Sequence, residues 1–173
     1  MLHIAVSDAE EEIMETIVRH RDEGSPTWFL NGLMTTKAEI DETGGAYCLM
    51  EHVLTPACDP PMHVHANEEE AFYVLEGEID FEVDGAVVSA RPGTFALAPR
   101  GRPHRFEVRT PVARVLVLTS AAGAVGGGAR RFFSAAGEPA PSAVLPEPQD
   151  PDPVRLTALA AEHGITILPP PGA

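Results

Sequence analysis

The sequence predicts an all-β fold, a sandwich or small closed barrel of short antiparallel strands. Three observations carry this reading. Between Phe72 and Leu118 short apolar stretches recur, each ended by a Gly or Pro turn such as Glu76-Gly77, Arg91-Pro92-Gly93 or Pro99-Arg100-Gly101. Asp84-Gly85 stands between two alternating segments and is a strong hairpin signal. No helical pattern alternates with these stretches, which excludes a parallel doubly wound sheet. The chain has 173 residues, enough for one domain with a substantial apolar core.

Taken in order, Ser7 with Glu10 reads as a capping box, and Ile13, Met14, Ile17 and Val18 form an apolar stripe at helical spacing. This predicts a helix over 8–20, ended by Gly24-Ser25-Pro26. Trp28 to Lys37 reads as one β-compatible run, Asp41 to Gly45 as a turn, and Ala46 to Thr55 as the next strand. After the Pro60-Pro61 break come strands at Phe72–Leu75, Ile79–Val83, Ala86–Ser89, Phe95–Ala98, Arg105–Val108 and Val112–Leu118. Ala121 to Gly128 is a flexible exit. Arg130 to Ala136 is a short helix, anchored by Phe132 and Phe133. The prolines between Glu138 and Pro153 forbid regular structure and predict an extended connector. Asp152-Pro153 opens a further helix that Gly164 closes, and Ile165 to Leu168 is a short edge segment. The expected organisation is an N-terminal helical extension over 1–26, a β-barrel over 27–120, and a Gly/Pro-rich tail with short helices over 121–173.

Composition narrows the function. The net charge of −14, with 26 acidic against 12 basic residues, argues against nucleic acid and anionic membrane surfaces as partners. The N-terminus lacks the basic and apolar regions of a secretory signal, and no apolar run approaches the roughly 20 residues of a membrane span. A cytoplasmic location is expected. Cys48 and Cys58 fit neither a disulfide framework nor a zinc spacing and read as buried residues, although Cys58 lies close to the candidate site.

Chemistry concentrates in Pro60 to Gly77. On an extended strand His63 and His65 point to the same face, Glu70 follows, and His104 arrives after the antiparallel strands have folded back. Three imidazoles and a carboxylate are the donor set of one divalent transition metal ion (Fe, Mn, Co, Ni, Cu or Zn), and spacing does not choose among them. Glu70 is either a fixed ligand or a detachable general base. Glu68 and Glu69 read as solvated or supporting residues, and His3, His20, His52 and His163 as ordinary hydrogen-bonded or exposed histidines. Phe72 and Val74 share the parity of Glu70, and Phe106 that of His104. With Met50 and Met62 they are the candidate lining of an apolar substrate pocket. Arg100, Arg102 and Arg105 are placed on the rim or in solvent.

These residues carry a resemblance to a known family. His63-x-His65-x4-Glu70-x6-Gly77 resembles the first signature of the cupin superfamily, and Gly93-x5-Pro99-x-Gly101-x2-His104 resembles the second. Ala57 stands where the first motif usually opens with Gly, and Val108 where the second often ends with Asn; neither position is a metal ligand in the family. The resemblance implies a single double-stranded β-helix, or jelly-roll, barrel. It also implies His63, His65, Glu70 and His104 as ligands. The runs EEEAFYVLEGEIDFEV and TWFLNGLMT are similar to the small quercetin 2,3-dioxygenase-like cupins. That group implies a dioxygenase which takes a flavonol, or another enolisable aromatic or phenolic molecule, together with O2. Glu70 would accept the substrate's hydroxyl proton. Two other readings stand beside it: a non-redox metal enzyme such as a polyketide cyclase or isomerase, and a non-catalytic small-molecule-binding barrel. A homodimer is expected, paired through edge strands or the N-terminal helix.

Overall fold

The protein was analysed as a computed structural model, which describes residues 15–120 and 128–170. Its strands are β1 Ser25–Phe29, β2 Gly32–Ala38, β3 Tyr47–Leu54, β4 His63–His65, β5 Glu70–Glu76, β6 Ile79–Val83, β7 Ala86–Ala90, β8 Phe95–Ala98, β9 His104–Val108, β10 Ala113–Ser120, β11 Glu138–Pro139 and β12 Ile165–Ile167. Two helices, α1 Gly128–Ala136 and α2 Pro153–Glu162, and a 3-10 turn at Pro56–Cys58 complete the described elements. Strand order is β11-β1-β2-β3-β10-β5-β8 in one sheet and β12-β4-β9-β6-β7 in the other. Every pairing is antiparallel. The fold is therefore mostly β, as expected, with two sheets and few helices. Neither helix is long and apolar enough to cross a membrane.

Alternation fixes which face each strand buries. On β10, Ala113, Val115, Val117 and Thr119 are buried and the intervening residues are half-exposed. On β5, Glu70, Phe72 and Val74 face inward. Inner faces meet where Phe72 of one sheet packs 4.8 Å, centroid to centroid, from Phe81 of the other. Such period-2 burial is what an antiparallel sheet with one core face produces. The β6–β7 hairpin turns at Asp84 and Gly85, whose φ of 54° and 81° is the left-handed pair that this turn requires.

Two expectations along the chain are corrected. Residues 15–20 carry no helix; the rest of the expected helix lies outside the described residues. Here polar ties to β2 replace a helical ladder. Lys37 Nζ donates to the carbonyls of His20, Arg21 and Glu23, and the Arg19 guanidinium donates to Lys37 O and Glu42. Val18 stays 72% exposed and Ile17 37%, so the described part of the apolar stripe is not buried. The run from Trp28 to Lys37 is a hairpin rather than one strand. Leu30 and Asn31 take φ of 44° and 63°, and β1 and β2 pair across them.

The C-terminal segment is tied to both sheets. Asp152 caps α2, accepting from the backbone N–H groups of Val154 and Arg155. Beyond Gly164, β12 adds to the edge of β4, with Ile165 opposite His65 and Ile167 opposite His63. β11 pairs with β1, and Trp28 Nε1 donates to Val144 O, which holds the proline-rich connector against the first sheet.

Candidate metal centre

The four residues singled out by spacing converge. Strand β4 presents His63 and His65 on one face, and β9 lies beside it with His104 in register with His63. Glu70 enters from the opposite sheet as the first residue of β5. Ring centroids of His63 and His104 are 4.3 Å apart, and those of His65 lie 5.2 and 5.3 Å from them. One donor atom from each of the four residues falls within 4.8 Å of all the others. His65, Glu70 and His104 are buried and His63 is half-buried.

Hydrogen bonding fixes how the rings present their nitrogens. His63 Nδ1 lies 2.9 Å from Pro61 O, and His104 Nδ1 lies 2.9 Å from Arg102 O. A carbonyl only accepts, so in both rings Nδ1 carries the proton and the Nε2 lone pair is left for the site. His65 has no such support among the described residues, its Nδ1 being buried without a partner there. Glu70 Oε2 sits 3.2 Å from His104 Nε2 and 3.6 Å from His65 Nε2.

Electrostatics point the same way. Burial pushes the His63 imidazole down to about 4, the neutral form a metal ligand needs, and also lowers His65. Burial alone would raise the Glu70 carboxyl, but His65, His104 and His63 around it bring it to about 2. Burial disfavours the charged form of His104, yet the hydrogen bond and the charge of Glu70, together with the Arg102 carbonyl, outweigh this and raise it. Lone pairs and a buried carboxylate gathered this closely repel unless a positive charge lies among them. A proton on His104 supplies one such charge. A divalent cation satisfies all four donors at once, so the cluster is compatible with one metal ion.

One wall of the site is an apolar cavity of about 70 Å³. His63, His65 and Glu70 lie on its polar side, with Phe72 and Phe106 beside them as the strand parity predicts. Met50 and Val74, expected in the lining, are fully buried core residues that do not reach it, and Met62 is half-buried outside it. Parity put these side chains on the inner face but could not say how far along the strand the cavity extends. Phe29, Met34, Phe132, Phe133, Ile165 and Ile167, on β1, β2, α1 and β12, contribute to the lining instead. Also in the wall is His52, which shares the inward parity of Met50 on β3; the alternation that selected Met50 was a signal for His52 as well.

Two acidic neighbours separate. Glu69 is exposed, as expected. Glu68 is only 2% exposed and so is not solvated: its Oε1 accepts from the backbone N–H of Ala129 at 2.8 Å. There its charge meets the positive end of α1. Cys58 is buried in the wall with its thiol against Thr55, and burial pushes that thiol up, away from reactivity. Arg102 and Arg105 pair with Asp84 and Glu82 outside the site, and Arg100 is exposed.

Comparison with known proteins adds the family context. Residues 50–119 match the cupin domain family. A quercetin 2,3-dioxygenase of Bacillus subtilis is 28% identical over 79 residues, which cover 46% of this chain but only 22% of that protein. Among solved structures, a predicted oxalate decarboxylase from Thermotoga maritima matches with a TM-score of 0.55 at 18% identity, over 62% of this chain and 99% of that one. KdgF from a Halomonas species matches with a TM-score of 0.48 at 19% identity, over 53% and 81%. The Thermotoga likeness shows a shared fold.

Proposed function

The chain belongs to the cupin superfamily through residues 50–119, and on that premise we propose that it is a metal-dependent oxygenase acting on a small, largely apolar, enolisable molecule. The observation that carries this reading is a three-histidine, one-carboxylate cluster opening onto an apolar cavity. In it the Nε2 atoms of His63 and His104, one nitrogen of His65 and an oxygen of Glu70 would hold the ion. When bound, the metal supplies Lewis-acid stabilisation of an enolate and, if redox-active, a site for O2. Glu70 is buried beside the cavity and is the one carboxylate of the cluster, so it is the group placed to take the proton from the enolisable group. Phe29, Phe72 and Phe106 exclude water from the reacting face.

Cavity size bears on the substrate. An apolar cavity of about 150 Å³ accommodates benzene. The space here, about 70 Å³, is about half of that, so it takes part of a ring whose remainder lies over the metal cluster, which favours a one-ring compound over a three-ring flavonol, although the Bacillus relative bears a flavonol's name. A second reading, a non-redox isomerase or cyclase, draws on the same placement of Glu70, because proton abstraction needs no oxygen.

Elemental analysis of protein purified without added metal is expected to find about one ion per chain. Oxygen-electrode assays with a one-ring catechol and a short 1,3-diketone are expected to show metal-dependent O2 uptake. Substrate turnover that continues under argon would transfer the assignment to the non-redox reading. Binding without turnover in either atmosphere would leave a ligand-binding protein, and absence of metal would remove the basis of the proposal.

A further inference from the structure

The cavity holds one side chain with strong hydrogen-bonding capacity that the metal centre does not use. His52 is 8% exposed, sits on β3 between Met34 of β2 and Val115 of β10, and forms part of the cavity wall. Its Nε2 is buried and has no hydrogen-bond partner among the described residues. Phe133 holds the ring edge-on at 6.1 Å. Burial keeps the imidazole neutral near pH 7, so one ring nitrogen donates and the other accepts. An unpaired polar group in such a place costs about 1–3 kcal/mol, whereas a leucine of similar size would cost nothing of the kind. Apart from His63, His65 and Glu70, the lining is aliphatic, aromatic, proline or glycine, with only the Cys58 thiol besides.

We propose that His52 is a ligand-binding residue, which hydrogen-bonds a hydroxyl or carbonyl oxygen of the molecule occupying the cavity. The occupant is then an apolar body with two polar groups, one at the metal cluster and a second at His52. Discrimination follows from the chemistry. A site built around an otherwise unpaired nitrogen rejects an analogue that lacks the matching polar group more strongly than it rejects a change of one methylene. This inference deepens the proposed function and rests on its reading of the cavity as the substrate site.

The test uses phenol and toluene, which differ by a hydroxyl, against full-length protein without metal, so that oxygenase chemistry plays no part. Binding is measured by ligand-observed NMR titration. His52→Leu is expected to weaken phenol about ten-fold relative to toluene, the loss of one buried hydrogen bond. His52→Gln, which keeps a donor and an acceptor, is expected to retain most of the preference. In 15N-histidine-labelled wild type, saturating phenol should shift a His52 ring nitrogen, and toluene should leave it in place; this readout needs no variant to fold. An unchanged phenol-to-toluene ratio in His52→Leu, a His52 resonance indifferent to phenol, or failure of both probes to bind wild type would overturn the proposal. Metal content of the variants is expected to equal that of wild type, since His52 is not a donor. Loss of metal stoichiometry in wild type would undo the oxygenase reading but not this hydrogen bond.

Discussion

His63 and His104 sit on different strands yet solve the same problem in the same way. Each directs Nδ1 at the carbonyl two residues before it in the chain, Pro61 in one case and Arg102 in the other. The bond spans so short a loop that ring orientation is fixed locally, and only the meeting of the two strands is left to the fold. Removing His104 therefore takes away a donor and leaves the positioning of His63 intact. In His104→Ala, metal affinity is expected to fall by more than the roughly 10–100-fold that loss of a supporting partner costs. The far-UV spectrum should be unchanged, because His104 belongs to a sheet held by its other pairings. Equilibrium dialysis against zinc with elemental analysis measures the first, and circular dichroism the second. Full metal occupancy in the variant would remove His104 from the donor set.

At the scale of elements, what could be read from sequence is what short-range pattern encodes. Asp84-Gly85 announced the β6–β7 hairpin because both positions need left-handed backbone, and the period of two put Glu70 and Phe72 on one face. The helix over 8–20 failed over its described part for a related reason. Periodicity reports an apolar stripe but not whether anything covers it, and Lys37 instead captures three carbonyls of the segment that follows. The hairpin at Leu30-Asn31 was hidden inside an apolar run, although Asn31-Gly32 is itself a turn signal. The short edge segment expected at Ile165 to Leu168 is β12, but its partner, about a hundred positions earlier, was not legible. Ile165 lies opposite His65 and is 3% exposed, so β12 both closes the edge of β4 and walls the cavity. Ile165→Ala is expected to cost about 2–4 kcal/mol of stability, as cavity-forming core substitutions do, and to weaken metal binding as β4 loosens. Urea denaturation with and without metal measures both effects. A loss below about 1 kcal/mol with metal affinity unchanged would show that β12 is peripheral.

Across the whole molecule, residues far apart in the chain build one buried, weakly polar space in which His52 and His63 are held neutral. That arrangement ties stability to pH. In the unfolded chain His52 titrates near 6.5, whereas burial in the fold pushes it down to about 4. Between those values the unfolded state binds more protons than the folded one, so stability rises with pH across the window and is lost on acidification from about 6.5 toward 4. The effect of His52 on its own is bounded at about 3 kcal/mol. His63 contributes with the same sign over the same range. Glu70, held at about 2, contributes stability present above about 4.3 and lost only as pH falls through 2, below this window. His104 is raised, so its contribution is full below 6.5 and is lost as pH rises, opposing the other two. The clean measurement is therefore a difference between two proteins without metal. From pH 7 to 4.5, wild type should lose more stability in urea than His52→Leu, by an amount up to that bound, so the difference between the two proteins changes across this range. Parallel curves over the whole range would mean that His52 is not held neutral in the folded protein. That outcome would contradict the burial that places His52 in the apolar wall.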